Sequence, residues 1–149
     1  MKVLLAGGGT GGHVYPAIAI ANKIKEHNPD CEILFVGTKN GIESEIVPKA
    51  GFELKTVTVQ GFKRKIDFDN VKRVFKLCKG LEQSRRIVKK YKPDIVIGTG
   101  GYVSGPVLFN AAMSKKVTIV HEQNSFPGVT NKILSKVATK VLTSFEDSH

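Results

Sequence analysis

The 149-residue sequence predicts an α/β fold, a doubly wound parallel sheet of the Rossmann-like kind. Three observations lead there. Short runs rich in Val, Ile and Leu alternate with helix-period segments along the whole chain. The first run, Val3-Leu4-Leu5-Ala6, passes straight into a glycine loop, Gly7-Gly8-Gly9-Thr10-Gly11-Gly12-His13, and from there into a helical segment. The connections are short, without internal repeat, low-complexity tract or long linker, so one domain spanning 1–149 is expected.

Residues 2–6 read as a buried strand. Ala17, Ile18, Ile20, Ala21 and Ile24 give the helix after the loop, Val14 to Ile24, an apolar face, and Asn28-Pro29-Asp30 stops it. Glu32 to Val36 is the second strand, and strand-helix-strand within about forty residues dictates a right-handed crossover and parallel pairing. Gly41 to Ala50 reads as a short helix interrupted by Pro48, and the alternation from Leu54 to Val59 predicts a third strand. Gln60 to Phe68 has no period and is expected to be an exposed loop. Asp69 is the expected N-cap of a helix reaching Tyr91, with Val71, Val74, Phe75, Cys78 and Leu81 on one stripe and Ile87, Val88 and Tyr91 continuing near it. Packing against the core is expected for Phe75 and Tyr91.

Ile95-Val96-Ile97 is the fourth strand, followed by a second glycine turn, Gly98-Thr99-Gly100-Gly101, and a helix from about Ser104 with Pro106 in its first turn. Val117 to Val120 makes a fifth strand that ends in His121-Glu122-Gln123-Asn124. A helix from Pro127-Gly128 to Ala138 and a sixth strand, Lys140 to Thr143, follow. In the order 3-2-1-4-5-6 usual for such sheets, ligands sit where strands 1 and 4 diverge. The three special turns follow strands 1, 4 and 5.

Composition narrows the class. Apolar residues make up 41% and charged residues 24%, as in a soluble protein, and no apolar run approaches the ~20 residues of a membrane span. Met1-Lys2-Val3 enters a strand at once rather than a secretory signal, so a cytosolic location is expected. Cys31 and Cys78 lack metal or redox spacing and are expected to be reduced, packed thiols. The net charge of +10 is concentrated between Gly61 and Pro93, where 12 lysines or arginines face three acids. Such a patch should meet an anion, either nucleic acid or a membrane surface.

The glycine loop presents helix-start N–H groups to something polar or anionic, unless it is simply a tight turn. Gly7, Gly9 and Gly12 satisfy GxGxxG, which raises a nicotinamide-dependent oxidoreductase. That reading wants an acid at the end of the second strand, where the sequence has Val36-Gly37-Thr38-Lys39. A Walker lysine is absent, since His13 follows Gly12. Nucleic-acid binding rests on aromatics interleaved with cations. The pairing of Phe62, Ile66, Phe68 and Phe75 with Lys63, Arg64, Lys65, Lys72, Arg73 and Lys79 suits an anionic bilayer surface better, against the alternative of a solvated basic helix face.

The runs Gly8-Gly9-Thr10-Gly11-Gly12-His13, Gly100-Gly101-Tyr102-Val103-Ser104-Gly105-Pro106 and His121-Glu122-Gln123-Asn124, followed by Thr130-Asn131-Lys132, resemble the motifs of the MurG family. These are bacterial N-acetylglucosaminyltransferases that convert lipid I to lipid II in peptidoglycan synthesis. The resemblance covers the whole chain and implies the N-terminal, acceptor-binding half of a two-domain GT-B enzyme, the C-terminal UDP-GlcNAc-binding half being absent. It implies attack of the muramyl 4-hydroxyl on the anomeric carbon of UDP-GlcNAc, with inversion, and neither cofactor nor essential metal. His13, which opens a helix, is then the expected base or a hydrogen-bonding positioner of the acceptor, against the alternative of a cap that only orders the turn. Glu122 is a rival base or an orienter. By the same resemblance Thr10, Gly11, Gly12 and Asn124 lie near the donor sugar, and Gly8, Gly9, Gly100, Gly101, Tyr102 and Ser104 near the acceptor diphosphate. The implied partners are the lipid-linked muramyl-pentapeptide acceptor, UDP-GlcNAc and the anionic inner leaflet, with no nucleic acid. The implied location is peripheral, on the cytoplasmic face of the membrane.

Overall fold

The computed structural model describes residues 1–62 and 68–146. Lys63, Arg64, Lys65 and Ile66 of the basic segment lie outside the described residues, as does His149. Strand and helix alternate as expected: β1 (Lys2–Gly7), α1 (Gly11–His27), β2 (Glu32–Gly37), α2 (Glu43–Lys49), β3 (Glu53–Thr56), α3 (Asp69–Tyr91), β4 (Ile95–Gly100), α4 (Ser104–Met113), β5 (Val117–Glu122), α5 (Val129–Leu134) and β6 (Lys140–Thr143). The strands form one sheet in the order β3-β2-β1-β4-β5-β6, and every pairing is parallel.

Successive side chains of a strand face opposite ways, so β1 feeds two cores. Val3 and Leu5 pack with Phe35, with Val14, Ala17 and Ala21 of α1 and with Val47 of α2. Leu4 and Ala6 pack with Val88 of α3, with Val103, with Val107, Leu108 and Ala111 of α4 and with Leu134 of α5. Helices therefore cover both faces, which is why the central strands read as continuous apolar runs rather than alternating ones. The strand order reverses between β1 and β4, and the carboxyl ends of those strands open the crevice.

Several boundaries differ from expectation. β3 stops at Thr56 rather than Val59: the Val57 N–H still reaches the carbonyl of Gly37, the last residue of β2, but the Thr58 N–H turns away to Gln83 Oε1. β4 runs on through Gly98 and Thr99 to Gly100, so all of the expected glycine turn but Gly101 is strand. β5 likewise takes in His121 and Glu122. α1 begins at Gly11, which puts His13 inside its first turn, and α5 ends at Leu134 rather than Ala138. Asp69 lies within the first turn of α3 rather than at the cap, where the helix dipole still favours its charge.

The largest correction concerns α3. Its 23 residues reach about 35 Å, whereas a six-residue strand spans about 20 Å. Only part of the helix can lie on the sheet, and the buried positions are Gly80, Ser84 and Val88. Tyr91 packs against the core as expected. Phe75 does not: it is 71% exposed, and Val71 and Val74 on the same stripe are exposed with it. Cys31 is buried, but Cys78 is exposed, because it shares that uncovered stripe.

Candidate functional site

The loops after β1, β4 and β5 meet at the reversal point. The Gly8 N–H reaches the Gly100 carbonyl at 3.4 Å. Gly101 (φ +83°) sits so close to the Gly8 carbonyl that no side chain fits between them, and its backbone conformation is one that glycine tolerates best. The ladder is irregular here: Ala6 pairs with Gly98 but Gly7 pairs with Gly100, so Thr99 is passed over. A bulge of this kind re-aims the groups of the skipped residue. The Thr99 hydroxyl donates to the His13 carbonyl at 2.7 Å, and the Thr99 carbonyl lies 3.1 Å from His13 Nδ1. On the other side of that nitrogen, the Gln123 carboxamide approaches to 2.7 Å. Gly100 (φ +112°) closes the cradle, since a Cβ on it would stand 2.5 Å from Nδ1.

Two buried carboxylates tie the surrounding loops. Glu43, the first residue of α2, has no solvent exposure. Its carboxylate accepts from the Gly9 N–H at 3.0 Å and from the Thr38 N–H and hydroxyl, both at 2.7 Å. Burial pushes its pKa up, yet these hydrogen bonds outweigh burial and hold it below the usual carboxylate value. Glu122, at the end of β5, is 2% exposed. Oε1 accepts from the Asn124 backbone at 2.9 Å and side chain at 3.0 Å. Oε2 accepts from the Gly128 N–H at 3.1 Å and Asn131 Nδ2 at 2.8 Å. Burial again raises its pKa and the donors again lower it further than burial raises it. The neighbouring His121 imidazole is pushed down by burial, with Glu122 opposing.

These contacts show what each expected site residue touches. The four donors on the Glu122 carboxylate order the 123–128 loop. The Gly9 N–H is committed to Glu43, and the Gly8 N–H points at Gly100. Ser104 is fully buried; its hydroxyl donates toward the Ala6 and Gly100 carbonyls and accepts from the Gly100 N–H. Gly8, Gly9, Gly100 and Ser104 are thus tied to one another and to Glu43 and Ala6 at the floor of the crevice. Gly101 and exposed Tyr102 remain at its mouth, with the Tyr102 ring seated on Gly61. Thr10 is an exposed N-cap whose side chain makes no capping bond. Gly11 is backed by the Tyr15 ring, and Gly12 is exposed beside Thr10. Asn124 donates to Glu122 from its backbone N–H and from its carboxamide nitrogen.

The surface set divides in the same way. Phe62 and Phe68 are exposed along with Phe75, and Lys72 and Lys79 are solvated beside them. Arg73 is half-buried and donates to the Gly61 carbonyl, so it anchors the loop instead of facing solvent. Beside the first loop, a polar pocket of about 500 Å³ opens between Thr38, Gly41, Gln60 and Lys76. Glu43 and the pairing of Thr99 and Gln123 with His13 were beyond sequence reading. An acid six residues after the end of β2, with Glu45 close by, gives no sign of burial, and a bulge leaves no trace in apolar periodicity.

The chain is similar to known proteins in sequence and in fold. The chain is 86% identical over all 149 residues to the UDP-N-acetylglucosamine--N-acetylmuramyl-(pentapeptide) pyrophosphoryl-undecaprenol N-acetylglucosamine transferase of Clostridioides difficile (strain 630), of which it covers 36%. It is 58% identical over 148 residues to the enzyme of the same name from Thermoanaerobacter sp. (strain X514), covering 99% of this chain and 41% of that protein. The crystal structure of Acinetobacter baumannii MurG superposes with a TM-score of 0.84 at 31% identity, over 99% of this chain and 43% of that one. The chain thus spans less than half the length of these relatives. A model of the glycosyltransferase family 28 N-terminal domain matches residues 3–143, nearly the whole chain, and the chain belongs to that family.

Proposed function

We propose that the chain is the acceptor-side domain of an inverting N-acetylglucosaminyltransferase. The acceptor is a pyrophosphoryl-undecaprenol-linked N-acetylmuramyl-(pentapeptide), and UDP-N-acetylglucosamine is held by a second domain that this chain does not include. The observation that carries the reading is the 86% identity to a relative so named, which extends across all 149 residues. His13 is the base: it draws the proton from the acceptor hydroxyl as that oxygen attacks the anomeric carbon and UDP departs. The helix start at Gly11 and Gly12, with Thr10, faces the donor sugar. The N–H groups of Gly101 and Tyr102 face the acceptor diphosphate, as glycine turns and helix starts favour anions. No cofactor or metal takes part in this scheme.

The exposed ridge of Phe68, Val71, Val74 and Phe75 beside Lys72 and Lys79 supports peripheral docking on an anionic bilayer. No helix among the described residues is long and apolar enough to cross a membrane. The test is turnover of the full-length enzyme made from this gene. His13→Ala should lower kcat by at least ~100-fold with the fold intact, and a loss under about tenfold would remove His13 as the base. Titration calorimetry on the chain itself should show binding of a muramyl-diphosphate-lipid analogue and little of UDP-GlcNAc. Tight donor binding by this chain would reverse the division of labour.

A further inference from the structure

We infer that Gln123 is a positioning residue for His13: its carboxamide oxygen and the Thr99 carbonyl together keep the imidazole proton on Nδ1, which leaves the lone pair on Nε2. The use of that lone pair as a base rests on the function proposed above; the tautomer itself does not.

The Thr99 carbonyl lies 3.1 Å from Nδ1 and can only accept. The nearer end of the Gln123 carboxamide lies 2.7 Å from the same nitrogen and is drawn as the amide nitrogen, Nε2. If that nitrogen donated to a lone pair on Nδ1, the lone pair would also face the Thr99 carbonyl oxygen, and Thr99 is fully buried. Two acceptors facing each other away from water repel strongly. With the proton on Nδ1 the clash vanishes: Nδ1–H donates to Thr99, and the carboxamide, turned about its last bond, accepts through Oε1. The two ends of an amide are close to isosteric, so the turn needs no extra space.

Neither partner of the ring can withdraw. Thr99 is the residue skipped by the β1–β4 ladder, and its hydroxyl is bound to the His13 carbonyl. Gly100 lies against the ring. Gln123 directly follows Glu122, whose four hydrogen bonds order the loop. When Nε2 takes a proton, the positive charge spreads to Nδ1–H and meets two oxygen acceptors. A carboxylate in this place would hold the imidazolium more strongly. It would also set a negative charge beside a crevice proposed to receive a diphosphate, and a neutral amide orients the ring without that repulsion.

Nitrogen-detected NMR of the chain labelled with 15N-histidine tests this, with the His13 signal identified by its loss in His13→Asn. Above its titration the wild-type ring should show protonated Nδ1 and bare Nε2; a ring protonated mainly on Nε2 overturns the assignment. In Gln123→Met, which offers no strong acceptor, the Nε2-protonated fraction should rise several-fold. In Gln123→Glu the Nδ1–H form should persist and the imidazolium should form at higher pH than in wild type. A tautomer ratio unchanged in Gln123→Met, together with an unshifted midpoint in Gln123→Glu, shows that Gln123 does not position the ring. The His13→Ala turnover measurement reports separately on whether the ring is the base, so the two conclusions can fail independently.

Discussion

The crevice floor and the first half of α3 are built by opposite rules. Around the crevice, the loops after β1, β2 and β5 are held by a buried side chain: Glu43 takes up Gly9 and Thr38, and Glu122 takes up Asn124, Gly128 and Asn131. Along the first half of α3, Val71, Val74 and Phe75 lie open to solvent among cations. Both regions contain residues that a sequence reading marks as functional. The difference is where the free energy goes: the first region spends burial on holding loops still, and the second leaves apolar surface uncovered for contact with something else.

The comparison can be broken most sharply at the carboxylates. Glu43→Ala strands the Gly9 and Thr38 donors and should destabilise the chain by about 3 kcal/mol, and Glu122→Ala by a similar amount. Urea denaturation measures this, and a loss below about 1 kcal/mol for both would mean that the loops hold without them. Acid tests the same contacts more gently. Both folded pKa values lie below the reference value of 4.5, so the stabilisation is complete above that pH and is lost as pH falls through the lowered folded values. Midpoints measured between about pH 5 and 3 should fall more steeply for wild type than for a Glu43→Gln, Glu122→Gln double variant.

The α3 ridge should respond in the other currency. Lys72→Gln with Lys79→Gln should weaken sedimentation with anionic vesicles roughly 30-fold at low salt, from about 1 kcal/mol per lysine, and added salt should erase the difference. Unchanged vesicle binding would reduce these lysines to a solvated face. The smallest effect is the most diagnostic. Phe75→Ser should shift stability by no more than about 0.5 kcal/mol, where a core phenylalanine loses several. A large loss in Phe75→Ser would mean that the ridge is covered after all.

Periodicity and composition determined the order of strands and helices, the reversal between β1 and β4, and the three turns that border the crevice. Each of those depends on residues adjacent in the chain, such as the glycines on either side of Thr10 or the apolar runs on either side of Asn28. The tertiary structure decided the rest, because the deciding contacts join residues far apart in sequence. Glu43 reaches Gly9 across 34 positions, and Gln123 reaches His13 across 110. A bulge at Thr99 turns a carbonyl from the ladder to an imidazole. Phe75 shares its helical stripe with residues that pack, and only the length of the helix against the sheet leaves it in solvent.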